Sequence, residues 1–253
     1  MIVIQTEKIN KIYGEIEKNS INALADVDLI IEQKEFVGIM GPSGSGKTTL
    51  LNILSGFDHP TTGSVKICGK NLQDFGDDEL AEFRRDDVGF VFQDFQLLDS
   101  LTVKENIVLP LILAKKKSDI IEKKAHDIID YLGLNKIFNK HPYEISGGEK
   151  QRTAVGRSLI TNPKIIFADE PTGNLDSKSS KNIMDLFCKL NAEKESTILM
   201  VTHDPFAASF CKRIVFLFDG KIHSIIKNNG DREEFFDHII KCQADIGGVF
   251  NDI

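Results

Sequence analysis

The sequence predicts an α/β protein with a mostly parallel sheet and helices on both of its faces. Three observations carry this. Phe36-Val37-Gly38-Ile39-Met40 is short and apolar, like a buried strand, and Leu50-Leu51-Asn52-Ile53-Leu54 can begin a core-facing helix. Between them lies Gly41-Pro42-Ser43-Gly44-Ser45-Gly46-Lys47-Thr48-Thr49, the pattern G-x-x-x-x-G-K-[ST], which needs a strand before it and a helix after it. From Ile165 onward, strand-like and helix-like runs alternate, as in units that build a parallel sheet.

Bulk properties narrow the classes. A chain of 253 residues can bury one large core or two small ones. Hydrophobic content of 41% with 27% charged residues is ordinary for a soluble globular protein. The longest apolar run, Ile107 to Ala114, contains Pro110 and is too short to span a bilayer. Met1 to Glu7 lacks a charged segment followed by an apolar stretch, so no signal peptide and a cytosolic location are expected. A net charge of −7 argues against a nucleic-acid-binding surface. Cys68, Cys188, Cys211 and Cys242 are far apart, without a C-x-x-C pair, and read as reduced thiols that mostly fill core space.

Taken in order, Val3 to Ile9 is strand-like, and Val27, Leu29 and Ile31 show β alternation. The polar stretch Gly14 to Asn22 between them reads as a hairpin loop. After the glycine-rich loop and its helix come a turn at Asp58 to Gly63, a strand at Ser64 to Cys68, a helix at Glu79 to Arg85 and a strand at Val88 to Phe92. Residues from about Asp94 to Ile160 carry few strand signals and read as a helical insert. Within it Thr102 opens one helix, Ser118 caps another, and Lys115-Lys116-Lys117 is a solvated linker. Then follow strand Ile165 to Ala168, helix Ser177 to Leu190, strand Thr197 to Val201, a short helix after Asp204, and strand Arg213 to Phe218 turning at Asp219-Gly220 into Lys221 to Ile226. Asp231 caps a last helix, to about 244, with Phe235, Phe236, Ile239 and Ile240 on one face.

The chemistry starts at the glycine-rich loop. Its glycines let successive N–H groups point inward at phosphate oxygens, and the helix that follows adds its positive end. Lys47 can reach the β- and γ-phosphates, and the Thr48 hydroxyl can ligate Mg²⁺. Ile165-Ile166-Phe167-Ala168-Asp169-Glu170 is an apolar strand ending in a carboxylate, as required to bring Asp169 to the same Mg²⁺. Glu170 could orient or deprotonate a water attacking the γ-phosphate. Ser146-Gly147-Gly148-Glu149, before a helical run, is either a capped helix after a glycine turn or a second anion nest. A nest so far from the first loop invites a dimer in which each copy closes the other's nucleotide. Tyr13 is a half-buried strand residue or a platform for an adenine ring. His203 alone would default to a structural role.

At these residues the chain resembles ATP-binding subunits of ABC transporters, along nearly its whole length. The resemblance implies a single ATP-binding domain over 1–253, with an N-terminal antiparallel β-subdomain, a mostly parallel core sheet and the helical insert. It implies that the loop binds ATP and that Ser146 to Glu149 correspond to the signature written LSGGQ, with Ile145 for Leu and Glu149 for Gln as departures. It further implies that Gln93 touches Mg²⁺ and senses a membrane partner, and that Asn174-Leu175-Asp176 crosses a dimer interface. By the same resemblance His203 contacts the γ-phosphate and Tyr13 stacks on adenine.

Asp169 to Asp176 is similar to the macrolide-export and lipoprotein-release branch. Leu97 to Ile107 and the Asp231-Arg232…Phe235-Phe236 tail are more similar to the bacitracin-export ATPases of Gram-positive bacteria. The implied partners are a second copy, a membrane permease and, through it, a sensor kinase, at the cytoplasmic face of the membrane. A soluble relative such as an iron–sulphur assembly ATPase and a small-molecule kinase stay open as alternatives. The kinase would have no use for the Ser-Gly-Gly turn.

Overall fold

The computed structural model describes residues 1–15 and 18–248. In chain order the strands and helices are β1 (Ile2–Glu15), β2 (Lys18–Val27), β3 (Ile30–Glu32), β4 (Phe36–Met40), α1 (Lys47–Leu54), β5 (Thr62–Ile67), β6 (Lys70–Asn71), α2 (Asp77–Asp86) and β7 (Val88–Val91). Next come α3 (Val103–Leu113), α4 (Ser118–Tyr131), α5 (Gly147–Leu159), β8 (Ile165–Asp169), α6 (Ser177–Glu193) and β9 (Ile198–Val201). The chain closes with α7 (Pro205–Ala208), β10 (Arg213–Phe218), β11 (Lys221–Lys227) and α8 (Arg232–Gly248).

Two sheets result. The larger runs β11-β10-β4-β9-β8-β7, and every neighbouring pair in it is parallel except the β10–β11 edge hairpin. The smaller runs β2-β1-β5-β6, with β3 also on β1, and is antiparallel throughout. The predicted α/β class with a mostly parallel core sheet therefore holds.

The apolar strands explain how the sheet is buried. Successive side chains point to opposite faces. Phe36 and Met40 of β4 join one core cluster, with Ile107, Phe187 and Ile239 from α3, α6 and α8. Val37 and Ile39 join another, with Leu50 and Leu54 of α1, Phe83 of α2, and Ile4 and Val65 of the antiparallel sheet. A strand covered on both sides needs no polar alternation, which is why β4, β8 and β9 read as continuous apolar runs.

Several boundaries differ from expectation. The segment Gly14 to Asn22, read as a loop, is largely strand: Tyr13 pairs with Ile21 and Glu15 with Lys18. Residues 16 and 17 lie outside the described residues. Backbone pairing holds this hairpin, so its polar side chains gave no period-2 signal. Ser118 is the first residue of α4, following Lys117, and no side chain caps that helix. Thr102, by contrast, caps α3 and exchanges bonds with Glu105 in a capping box. Asp231 does accept from the Glu233 and Glu234 N–H groups at 2.9 and 3.2 Å. The tail helix runs on to Gly248, past the expected end near 244. Phe235 and Ile239 are buried, but Ile240 is 42% exposed, so the apolar face is narrower than expected.

Candidate active site

The parallel strands end together on one side of the sheet, and a cavity of about 820 Å³ opens there. Its floor is the loop between β4 and α1. Gly41 makes the exit from β4, and a Cβ there would stand 2.1 Å from the Leu217 carbonyl oxygen. Gly46, at φ 99°, precedes α1, and a Cβ there would stand 2.4 Å from the Ala23 oxygen. Both positions exclude any larger residue. No side chain caps α1, so its first N–H groups have no side-chain acceptor.

Pro42, Ser43, Gly44, Lys47, Thr48 and Thr49 line the cavity with the two glycines. Ser45 does not: it is buried, its hydroxyl has no hydrogen-bond partner, and that oxygen lies beneath Gly41. Its part is in the backbone, where the Gly220 N–H donates to its carbonyl at 3.2 Å. The Lys47 ammonium bridges the loop, donating to the Gly41 and Pro42 carbonyls at 2.8 Å each. Burial pushes its pKa down, against the pull of the Glu170 and Asp169 carboxylates.

Those carboxylates enter from the end of β8. Parallel pairing sets Asp169 opposite Val201 of β9. Burial pushes the Asp169 carboxyl above its ordinary range, the Glu170 charge adds to this, and Lys47 opposes it. Glu170 has φ 47°, a left-handed conformation costing a non-glycine residue on the order of 1–3 kcal/mol. Its N–H donates to the Val201 carbonyl at 2.9 Å. The same turn aims its carboxylate at the end of β9, where it meets the His203 N–H at 3.1 Å, the His203 Nδ1 at 2.7 Å and the Thr202 hydroxyl at 3.2 Å. Predicted separately from sequence, Glu170 and His203 are thus one hydrogen-bonded pair.

Tyr13, 39% exposed, also lines the cavity, with Ile21, Asn22 and Ala23 of β2. The remaining predicted residues do not line this cavity. Gln93 donates its carboxamide to Asn174 at 3.4 Å and accepts from Asn174 at its own carbonyl at 3.0 Å. Ser146 caps α5, and Glu149 accepts from both its N–H and its hydroxyl, at 2.9 and 2.7 Å. These bonds hold the Glu149 carboxyl below its ordinary range. Gly147 and Gly148 follow at the start of α5, where a Cβ on either would press on Leu175 or Ser179. Asp176 caps α6, accepting from the Lys178 and Ser179 N–H groups at 3.0 Å.

Sequence reasoning missed several contributors, Ile21, Asn22, Ala23 and Val201 of the lining among them. Thr202 is another, although its hydroxyl could have been suspected beside His203. Phe216 forms part of the wall from inside β10. Gln243 and Ile246 bring α8 to the cavity, and Gln243 donates to the His203 carbonyl at 3.3 Å. No local pattern marks a tail residue as the neighbour of a loop forty positions earlier.

The donors suit Mg²⁺ with a polyphosphate. One hydroxyl and one carboxylate are hard oxygen ligands, and Mg²⁺ usually takes one or two carboxylates plus phosphate oxygens. The half-buried Asp169 carboxylate, destabilised beside Glu170, gains from a cation there. Among the described residues no group of three or more His, Cys, Asp or Glu could hold a metal by itself.

Comparison with known proteins agrees. Residues 24–173 match the family described as ABC transporter. The chain belongs to that family. It is 47% identical to the bacitracin export ATP-binding protein BceA of Halalkalibacterium halodurans, over 100% of both chains. It is 50% identical to the uncharacterized ABC transporter ATP-binding protein YvcR of Bacillus subtilis, over 100% of this chain and 98% of that one. With the macrolide export ATP-binding/permease protein MacB of Bdellovibrio bacteriovorus it shares 43% identity over 88% of this chain, but only 34% of MacB. A dimeric post-hydrolysis structure of the ATP-binding cassette MJ0796, bound to ADP and Pi, superposes with a TM-score of 0.81 at 43% identity, covering 90% of this chain and 100% of that one. The protein is thus an ABC transporter ATP-binding subunit, an ATPase that uses ATP and Mg²⁺. Among the described residues no helix is long and apolar enough to cross a membrane.

Proposed function

We propose that two copies of this chain sandwich two ATP molecules and drive a membrane permease that protects the cell from bacitracin-like peptide antibiotics. The observation that carries the sandwich is the position of the Ser146-Gly147-Gly148 turn. It has the make-up of a phosphate nest yet takes no part in lining its own chain's cavity. A phosphate bound at this turn would then belong to a second copy, and the dimeric form of the MJ0796 cassette supports this. Asp176 and Gln93 stand outside the cavity in the same way and are assigned to the seam.

Within each site Lys47 and the loop N–H groups hold the phosphates, and Thr48 and Asp169, with Gln93 on closure, hold Mg²⁺. The metal neutralises phosphate charge when bound. Glu170 is the general base. Its Oε1 is taken by His203 at 3.1 and 2.7 Å. Oε2 makes only the longer contacts, 3.2 Å to the Thr202 hydroxyl and 3.4 Å to the His203 N–H, and is the oxygen to take the proton of an attacking water. His203, its ring 74% exposed and bonded to Glu170 through Nδ1, offers Nε2 to the γ-phosphate.

A groove of about 360 Å³ near Gln93 suits the permease. Phe57 and Leu113 line it at 55% and 63% exposure, with Arg84 and Arg157 beside them. End-to-end likeness to BceA favours peptide-antibiotic defence over the macrolide or lipoprotein branch, whose MacB relatives match less of the chain. The chain would then sit at the cytoplasmic face of the membrane, and a sensor kinase would join through the permease.

Sedimentation of Glu170→Gln tests the sandwich. With saturating Mg-ATP and its permease present, this variant should dimerise, and a strictly monomeric variant overturns the reading. Loss of bacitracin resistance on deleting the chain tests the branch.

A further inference from the structure

Around Tyr13, a bonded set of side chains lies outside the phosphate loop. The Tyr13 hydroxyl donates to Asp58 Oδ2 at 2.6 Å, and the Lys11 ammonium holds Asp58 Oδ1 at 2.6 Å. Lys11 also donates to the His59 carbonyl at 2.8 Å, and its Nζ stands over the Tyr13 ring, 4.7 Å from the centroid. Thr49, in the first turn of α1, lines the cavity with Tyr13. Asp58 is tied to the far end of that helix, where its N–H donates to the Asn52 carbonyl at 3.1 Å. Helix α1 therefore carries the phosphate loop at one end and the anchor of Tyr13 at the other.

We propose that Asp58 and Lys11 are positioning residues that fix the Tyr13 ring as the platform for the adenine of ATP, at a distance from the phosphate cradle set by α1. This deepens the nucleotide reading above and rests on it. An aromatic side chain on an edge hairpin, 39% exposed, would otherwise turn freely about its rotamers. Lys11 covers one face of the ring, leaving the other for the base. The anchor is an ionised acceptor: burial alone would raise the Asp58 carboxyl, but the bonds from Lys11, Tyr13 and the His59 N–H outweigh it and hold it below its ordinary range. One carboxylate thereby accepts from both partners at once.

The test compares Asp58→Ala and Lys11→Met with the wild type, measuring binding of Mg-ATP and of inorganic triphosphate, which has no base. The expected result is ATP binding weakened about 2- to 10-fold, the range for leaving one interface side chain to be ordered on binding. Triphosphate binding stays unchanged, and the loss falls on KM rather than kcat. In a Tyr13→Phe background, Asp58→Ala should cost less than it does alone, because the shared bond is already gone. Should Asp58→Ala fold poorly, Asp58→Asn keeps its volume and withdraws one of the two acceptor oxygens. Unchanged ATP affinity overturns the proposal, and so does an equal loss for triphosphate, which would mean a distorted cradle. A wild-type chain that binds triphosphate but not ATP overturns the nucleotide reading itself.

Discussion

Lys47→Ala separates nucleotide binding from fold stability. The ammonium donates to two carbonyls at 2.8 Å. ATP binding therefore exchanges two bonds to neutral acceptors for bonds to charged phosphate oxygens. The donor is ionised in both sets, so the gain is only the added charge of the acceptor, of the order of one bond to a charged group, about 1.5–3 kcal/mol. Removing the side chain should then weaken Mg-ATP binding by about 10- to 150-fold. Stability of the nucleotide-free chain should change little. The two lost bonds are offset because a half-buried ammonium, whose pKa burial already lowers, no longer has to be desolvated. Titration calorimetry at neutral pH gives the affinity and urea unfolding gives the stability. Undiminished ATP affinity would refute the reasoning. So would a variant several kcal/mol less stable, since Lys47 would then be a structural strut.

Three further predictions follow from the same geometry. Glu170→Gln should lower phosphate release by ~10²–10⁴-fold, the range for a positioned general base, with ATP affinity kept, and ordinary turnover would discard the assignment. Asp169 holds its proton above its ordinary value of 3.8, so it contributes a loss of stability as pH climbs from there through the raised folded value. Asp169→Asn should remove that slope, and melting curves of both chains between pH 4 and pH 7 that run parallel would contradict it. Gln151 is wholly buried in α5 and donates to the Pro171 and Phe92 carbonyls at 2.7 and 3.3 Å. Gln151→Leu should cost about 1–3 kcal/mol in urea unfolding by leaving buried acceptors unpaired, and a neutral result would mean that water reaches them.

What could be read in advance had short-range causes. The β4 run, the loop glycines and the helix starts at Thr102 and after Asp204 each depend on residues a few positions apart, so their patterns are visible in one dimension. The Asp169–Glu170 pair was readable because a strand that ends in acid has few other uses beside such a loop. The Glu170–His203 bond, the tail helix against His203 and the Asp58 anchor of Tyr13 depend on where the sheet brings distant segments. No spacing rule encodes those. The Gly14 to Asn22 hairpin failed for a different reason: side-chain polarity reports burial, whereas main-chain pairing such as Tyr13 with Ile21 holds a strand whatever its side chains. Ser118 failed because a residue suited to capping only caps if the chain enters the helix there, and it enters one residue earlier.

The back of the phosphate loop bears on how this ATPase moves. Gly41 sits against the Leu217 carbonyl, the Gly220 N–H holds Ser45, and the Gly220 carbonyl receives the Ala25 N–H at 2.8 Å. The floor is clamped between the edge hairpin and the antiparallel sheet before any ligand arrives. An arriving triphosphate finds its seat already shaped and spends little binding energy on ordering main chain. Apart from the Lys47 side chain, whatever that energy displaces lies at the rim, among side chains and neighbouring subunits, and leaves the main-chain seat as it was.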